Sequence, residues 1–163
     1  MNRARAQSWL FAATVVLAML MQLLPLPESI APLKPFWLAL VLLYWAIEAP
    51  EKVGLGLAFG LGLIGDLLAG HLLGEQSLRL TALLFIVLRF RARLRFFPLW
   101  QQAIAVLAML LNDRVIVTMV RGFSGSPMPS ALFWLSPVVG MVLWPFLFIL
   151  IDDVRARLRV RDS

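Results

Sequence analysis

Apolar residues cluster in six segments along the chain, separated by charged residues and prolines. The segments cover about residues 9–24, 36–47, 53–73, 78–90, 99–120 and 131–151. A membrane-spanning helix needs about 20 apolar residues, because lipid offers no water to unpaired backbone amides. The third, fifth and sixth segments meet this length. The second and fourth are shorter, so they span only if flanking side chains such as Arg79 and Arg89 reach the interface, and are otherwise tilted or re-entrant.

The composition supports a membrane environment for these segments. Hydrophobic residues make up 61% of the 163-residue chain, whereas soluble domains have roughly 45–50%. We therefore predict an all-α membrane protein, a bundle of six transmembrane helices in a single integral membrane domain over residues 1–163. The first segment follows two arginines, as in a signal peptide, but it lacks a small-residue cleavage site and is predicted to remain as a helix.

The placement of lysine and arginine predicts the orientation of this bundle. With the N-terminus in the cytoplasm, eleven basic residues lie on the cytoplasmic side and three, Lys34, Arg79 and Arg121, lie on the opposite side. This asymmetry follows the positive-inside rule and places both termini in the cytoplasm. A basic excess beside membrane segments usually marks cytoplasmic loops, so nucleic acid is not an expected partner.

The third segment is rich in glycine, which is typical of close helix packing in membranes. Small residues and one aspartate recur every four positions, at Gly54, Ala58, Gly62, Asp66, Gly70 and Gly74, and Gly56 and Gly60 form a neighbouring pair. The pattern favours packing within the bundle. A groove for the transmembrane helix of a partner and a cavity for a small molecule are the alternatives.

Charged or amide side chains occur well inside two apolar segments: Asp66 in the third, and Asn112, Asp113 and Arg114 in the fifth. The two carboxylates have a similar predicted depth, where a charge facing lipid costs at least about 2.5–3.5 kcal/mol. We therefore expect an inward-facing structural cluster in which Arg114 and Asn112 satisfy Asp66, Asp113 or both. A proton or cation relay is the functional alternative.

Arginines alternate with other residues at two places near the predicted inner leaflet. They are Arg89, Arg91, Arg93 and Arg95 after the fourth segment, and Arg155, Arg157 and Arg159 after the sixth. Each cation near anionic lipid contributes about 1 kcal/mol to membrane binding. Anionic lipid is therefore the predicted contact, and a cytoplasmic protein is the alternative.

The sequence lacks common signatures of catalysis. It contains no phosphate-binding loop, nucleophile elbow or zinc-protease motif, and it has no cysteine and one histidine. That residue, His71, lies near the predicted outer end of the third helix, where a lone histidine is more often solvated than bound to a metal. We expect no enzymatic activity, no cofactor and no metal site.

Taken together, several of these features resemble the rod shape-determining protein MreD family. The likeness extends from the proline-rich first loop to the sixth helix. Its most specific parts are the pattern P-x-W-L-x-L-x-L-x-Y-W at residues 35–45, the glycine-rich helix with Asp66, the G-x-x-L-G turn at residues 70–74, and Asp113 in helix five.

The resemblance implies a bacterial inner-membrane protein of the elongation machinery, which includes MreC, the MreB filament, RodZ, RodA and a class B penicillin-binding protein. It also implies a helix arrangement similar to the S components of energy-coupling-factor transporters. We therefore predict a non-enzymatic scaffold that binds MreC and links MreB filaments to peptidoglycan synthesis to maintain rod shape. The alternative is a small-molecule-binding or transport subunit with a central polar pocket lined by Asp66, Asp113 and Arg114. A water-accessible pocket of several hundred Å³ would favour it.

Overall fold

The computed structural model describes residues 3–70, 73–125, 127 and 129–161. These residues form six α-helices and three short 3-10 helices, and no strand occurs among them. The α-helices are α1 (Arg3–Leu23), α2 (Trp37–Glu48), α3 (Leu55–Ala69), α4 (Glu75–Leu94), α5 (Leu99–Ser124) and α6 (Ser136–Arg161), and the 3-10 helices are Ala31–Leu33, Pro50–Lys52 and Ala131–Leu135. The prediction of an all-α protein with six helices is confirmed.

Glycines in the left-handed backbone region set several helix ends. Gly70, with φ of 71°, ends α3, and Gly125, with φ of 74°, ends α5. Such a residue commonly follows the last helical turn, because only glycine adopts this conformation without steric cost. As a result α3 has 15 residues and stops before residue 73. The prediction that the third segment reaches spanning length by itself is therefore wrong.

Helix α2 lies at the centre of the bundle. Every residue from Leu38 to Ile47 is buried. The other five helices surround it in the order α1, α3, α4, α5 and α6, each packing on the next and α6 packing back on α1. A helix that is apolar on all sides is stable only where all sides are covered. The uninterrupted apolar sequence of α2 therefore determines its central place.

In the described part of the chain, four helical stretches are long and apolar enough to cross a membrane: Ala4–Leu23, Ala31–Glu48, Leu99–Ser124 and Ala131–Arg161. Helix α3 is apolar but shorter, and α4 carries arginines in its last turn. Large apolar side chains are exposed on the outside of the ring, for example Leu17, Leu67 and Phe146. Lipid is the solvent that suits such a surface, so this is a membrane protein.

The short central helix leaves space at one end of the bundle. With a rise of about 1.5 Å per residue, the 12 residues of α2 span roughly 18 Å, whereas the 26 residues of α5 or α6 span roughly 39 Å. We call the end with the start of α2 the outer end and the end with Glu48 the inner end, following the predicted orientation. The 3-10 helices Ala31–Leu33 and Ala131–Leu135 pack together at the outer end.

Candidate functional site

Asp66 fastens the turn between α3 and α4. Its side chain is buried, and its carboxylate accepts hydrogen bonds from the backbone N–H of Gly74 at 2.9 Å and of Gln76 at 3.1 Å. These donors lie at the start of α4, where backbone N–H groups have no partner inside the helix. Asp66 therefore caps the next helix, and its negative charge also suits the positive end of that helix dipole.

Asp113 pairs with Arg79 of α4. The Asp113 carboxylate accepts one hydrogen bond from Arg79 Nε at 2.7 Å and another from Nη2 at 2.9 Å. Both residues are buried, and the guanidinium carbon of Arg79 lies 4.2 Å from the centre of the Phe36 ring. Two parallel charge-assisted hydrogen bonds are the strongest arrangement that these side chains form. The pair joins α5 to α4.

The predicted partners of the two carboxylates are therefore wrong. Asn112 is exposed, and Arg114 donates from Nη2 to the Ser136 hydroxyl at 3.1 Å. Successive helical residues point about 100° apart, so when Asp113 faces α4 its two neighbours face elsewhere. Arg79, which was expected to extend outward, is the missing partner. Its position at the outer part of an apolar helix, at a depth similar to Asp113, was the signal for this pairing.

Arg114 belongs to a second polar group near the outer end. The Ser136 hydroxyl, which accepts from Arg114, donates in turn to the backbone carbonyl of Lys34 at 2.8 Å. The guanidinium carbons of Arg114 and Arg121 lie 4.5 and 5.2 Å from the centre of the same Phe133 ring. This group links α5, the start of α6 and the connection before α2.

A cavity of about 880 Å³ opens at the outer end, above the start of α2. Its walls come from α1, α3, α4 and α5 and from the connections that precede α2 and α6. The charged residues that line it are Lys34, Glu75, Arg79, Arg114 and Arg121. Its size is the one expected of a ligand-binding subunit. However, the predicted lining of Asp66, Asp113 and Arg114 is only partly correct. Arg114 lines the cavity, whereas Asp66 and Asp113 are buried in the contacts described above and do not line it.

The glycines of the third segment divide into three groups. A Cβ atom added to Gly62 would lie 2.7 Å from the backbone carbonyl carbon of Gln76 and closer still to the backbone of Ser77. A Cβ atom at Gly65 would overlap the side chain of Gln76. Gly62, Gly65 and the buried Ala58 thus pack inside the bundle. Gly70 and Gly74 belong to the turn before α4. A Cβ atom added to Gly54, Gly56 or Gly60 would have no heavy atom within 4 Å.

The arginines at the inner end are of two kinds, those that contact α2 and those that are exposed. Arg155 is buried, donates to the Tyr44 hydroxyl at 3.2 Å and lies 5.3 Å from the centre of the Trp45 ring. Arg91 donates to the backbone carbonyl of Ile47 at 2.9 Å. The prediction that Arg155 contacts lipid is therefore wrong, because this side chain holds α6 to α2. The exposed members of the two sets are Arg89, Arg93, Arg95, Arg157 and Arg159.

The described residues contain no group of potential metal ligands. No three His, Cys, Asp or Glu side chains come together there in a way that could hold a metal ion. The prediction made for His71 lies outside the described residues.

Comparison with known proteins places these features in a family. Residues 3–154 match the family model of the rod shape-determining protein MreD. The chain is also 34% identical over 149 residues to the rod shape-determining protein MreD of Haemophilus influenzae, a match that covers 89% of this chain and 90% of that protein. No solved structure matches the chain at a significant level. With the family model matched over nearly its whole length, this chain belongs to the MreD family of rod shape-determining proteins.

Proposed function

We propose that this protein is a non-enzymatic scaffold of the bacterial elongation machinery. In this proposal it binds the transmembrane helix of MreC and links MreB filaments to peptidoglycan synthesis. Membership of a rod-shape family supports the general role. The observation that carries the finer proposal is a glycine surface on α3 that no described part of the chain covers. MreB, RodZ, RodA and the class B penicillin-binding protein are then indirect partners.

This surface, which we call the α3 outer face, consists of Gly56, Gly60, Ile64 and Leu67. The two glycines leave the backbone uncovered one turn apart, and Ile64 and Leu67 are 48% and 72% exposed. Exposed leucine or isoleucine is ordinary on a lipid-facing helix. A glycine pair at this spacing is more specific than an exposed apolar side chain, because it lets another helix approach until the two backbones make van der Waals contact. The α3 outer face therefore suits a transmembrane helix.

The test compares two glycines that are equally open but lie on different helices. Gly60→Leu fills the α3 outer face, and Gly122→Leu places the same side chain on α5, where an added Cβ also meets nothing within 4 Å. We expect Gly60→Leu to lower co-purification with MreC by about tenfold, the effect of losing roughly 1.4 kcal/mol of helix packing. The unfolding temperature of the isolated protein should not change. Equal MreC binding by both variants would refute this interface.

Exposed arginines support contact with the inner leaflet. Arg89, Arg93 and Arg95 extend from the last part of α4 and its C-terminal end, and Arg157 and Arg159 extend from the end of α6. In the predicted orientation this side faces anionic lipid, where each cation contributes about 1 kcal/mol. The same arginines are the candidate site for a cytoplasmic partner.

The outer cavity supports a second candidate function, the binding or transport of a small molecule. A volume of about 880 Å³ lies within the range of roughly 300–1,000 Å³ that is usual for ligand pockets. Scaffolding and ligand binding use different residues of α3, because Gly65 and Leu68 line the cavity and no residue of the α3 outer face does. The two functions are therefore tested separately.

A further inference from the structure

We infer that the outer cavity binds a phosphate-bearing anion, held between Arg114 and Arg121. This inference rests on the second candidate function and names its ligand class. Phosphate is the shared chemistry of two possible sources, a lipid headgroup that ends in a phosphate monoester and a soluble phosphate compound. The argument depends on which of the charges around the cavity already have a partner.

The charges that line the cavity do not balance. Arg79 is neutralised by Asp113, to which it donates two hydrogen bonds. Glu75 is the one carboxylate among the described lining residues, and it is matched in number by Lys34, whose ammonium donates to the backbone carbonyl of Leu24 at 2.9 Å. Two positive charges remain, those of Arg114 and Arg121.

Neither of these arginines forms an ion pair with any described residue. The three described ion pairs of the chain belong to Arg79, Arg155 and Arg157. Arg114 uses one N–H donor on the Ser136 hydroxyl, and a guanidinium has five. The remaining donors of Arg114 have no protein acceptor in the described residues. A partly buried guanidinium in this state is strongly favoured to bind an anion.

Both guanidinium groups contact the ring of Phe133. Both of their central carbons lie within 5.2 Å of the centre of its ring, and Phe133 itself is buried. Cation–π contact makes each position favourable, but it leaves two like charges as neighbours on one ring. An anion between them would remove their repulsion. This juxtaposition on one aromatic ring is the central observation for the inference.

The chemistry of the pair favours phosphate. A phosphate monoester carries about −1.5 to −2 charges near neutral pH, which matches two guanidinium groups. Arginine also binds phosphate oxygens through parallel hydrogen bonds, as it binds carboxylates. Val117 and Val120, which lie between the two arginines on α5, are apolar parts of the cavity wall, and Leu68 of α3 is another. A phosphate attached to an apolar chain would therefore contact both kinds of surface.

The experiment measures thermal unfolding of the full chain in a neutral, phosphate-free detergent. The probes are dihexanoyl phosphatidic acid for the lipid source and inorganic phosphate for the soluble source. Dihexanoyl phosphatidylcholine and sodium chloride at matched ionic strength are the controls. We expect at least one phosphate probe to raise the unfolding temperature more than both controls do, and the probe that does so identifies the source.

Variants locate the effect. In Arg114→Gln and Arg121→Gln the half-saturating concentration of the active probe should rise by about tenfold, the effect expected from losing one charged hydrogen bond. Arg5→Gln, at an exposed arginine of α1 that belongs to neither set of lipid-contacting arginines, is the matched control and should respond like the unchanged protein. If Arg114→Gln does not fold, Arg121→Gln and Arg121→Lys test the inference instead. The lysine variant should keep part of the rise in unfolding temperature that the active probe causes.

Two results would overturn the inference. One is an equal response to the phosphate probes and the controls, and the other is an unchanged response in both arginine variants. Native mass spectrometry of the purified protein distinguishes failure of the phosphate inference from failure of the second candidate function, which is ligand binding in general. A retained neutral or cationic molecule would support ligand binding and exclude the anion, whereas an empty cavity together with no response to any probe would exclude both.

Discussion

At the scale of single residues, the buried charges are the positions where one substitution is expected to change stability most. Arg79 and Asp113 are both buried and satisfy each other through two hydrogen bonds. Desolvation of such a pair is costly, so the net gain from forming it is small. Removing one partner is different, because the other charge then stays buried without compensation.

Asp113→Ala should lower the free energy of unfolding by about 3–5 kcal/mol, since it leaves the Arg79 guanidinium buried and unpaired. Denaturant titration in detergent measures the change. The double variant Arg79→Met with Asp113→Leu should recover at least half of it, because no buried charge remains. Asn112→Ala is the adjacent control and should change stability by less than about 0.5 kcal/mol, because that side chain is exposed. A small effect of Asp113→Ala would contradict the pairing.

At the scale of elements, α3 and α4 form one helical hairpin whose parts depend on each other. Gly62 and Gly65 bring α3 against the first turn of α4. The Ser77 hydroxyl donates to the backbone carbonyl of Phe59 at 2.8 Å, and Asp66 caps the same turn. Close packing and capping therefore occur at the same place.

Gly62→Leu should destabilise the protein by at least about 1–3 kcal/mol, because the new side chain overlaps the backbone of α4 and backbone cannot move aside cheaply. The unfolding temperature measures this loss. Gly60→Leu is the control on the same helix and should unfold like the unchanged protein. If both variants unfold alike, Gly62 is not the packing contact between α3 and α4.

Asp66→Ala should cost about 1–2 kcal/mol, the usual effect of losing a helix cap, because two backbone donors lose their acceptor. The local readout is hydrogen exchange, which should become faster at the amides of Gly74 and Gln76 than at amides in the middle of α4. Asp66→Asn keeps one acceptor oxygen and should show a smaller change. Unchanged exchange at both amides in the alanine variant would exclude the capping role.

At the scale of the whole molecule, five helices enclose one, and the two ends of the bundle have different character. The inner end is closed, because Arg155 of α6 contacts Tyr44 and Glu48 of α2. The outer end contains the cavity, because α2 starts only at Trp37. Which end faces the cytoplasm then decides whether the cavity is available to outer-leaflet lipid.

Labelling of introduced cysteines tests the orientation, and the chain is suited to it because it has no cysteine of its own. Glu28→Cys lies in the exposed connection before α2, and Glu51→Cys lies in the exposed turn after it. In intact cells whose outer membrane has been permeabilised, a membrane-impermeant maleimide should label Glu28→Cys but label Glu51→Cys only after lysis. The reverse pattern would place both termini outside the cytoplasm.

The sequence alone predicted the number and class of the elements well. Apolar segments between prolines and charges gave the six helices, because the backbone of a lipid-facing segment has few alternatives to a helix. The ends were less predictable. The third helix stops at Ala69 because Gly70 adopts the left-handed conformation, and neighbouring glycines such as Gly65 remain helical. Residue type did not distinguish these two uses of glycine.

Only the tertiary structure decided which polar residues meet. Local pattern established that Asp66 and Asp113 must be satisfied, since unpaired buried charge is too costly to persist. It did not reveal that the partners are backbone amides of α4 for one and Arg79 for the other. Nor did it reveal that Arg114 and Arg121 share the Phe133 ring. Hydrophobic periodicity is a property of each segment by itself, whereas partner choice depends on how helices rotate and pack against one another.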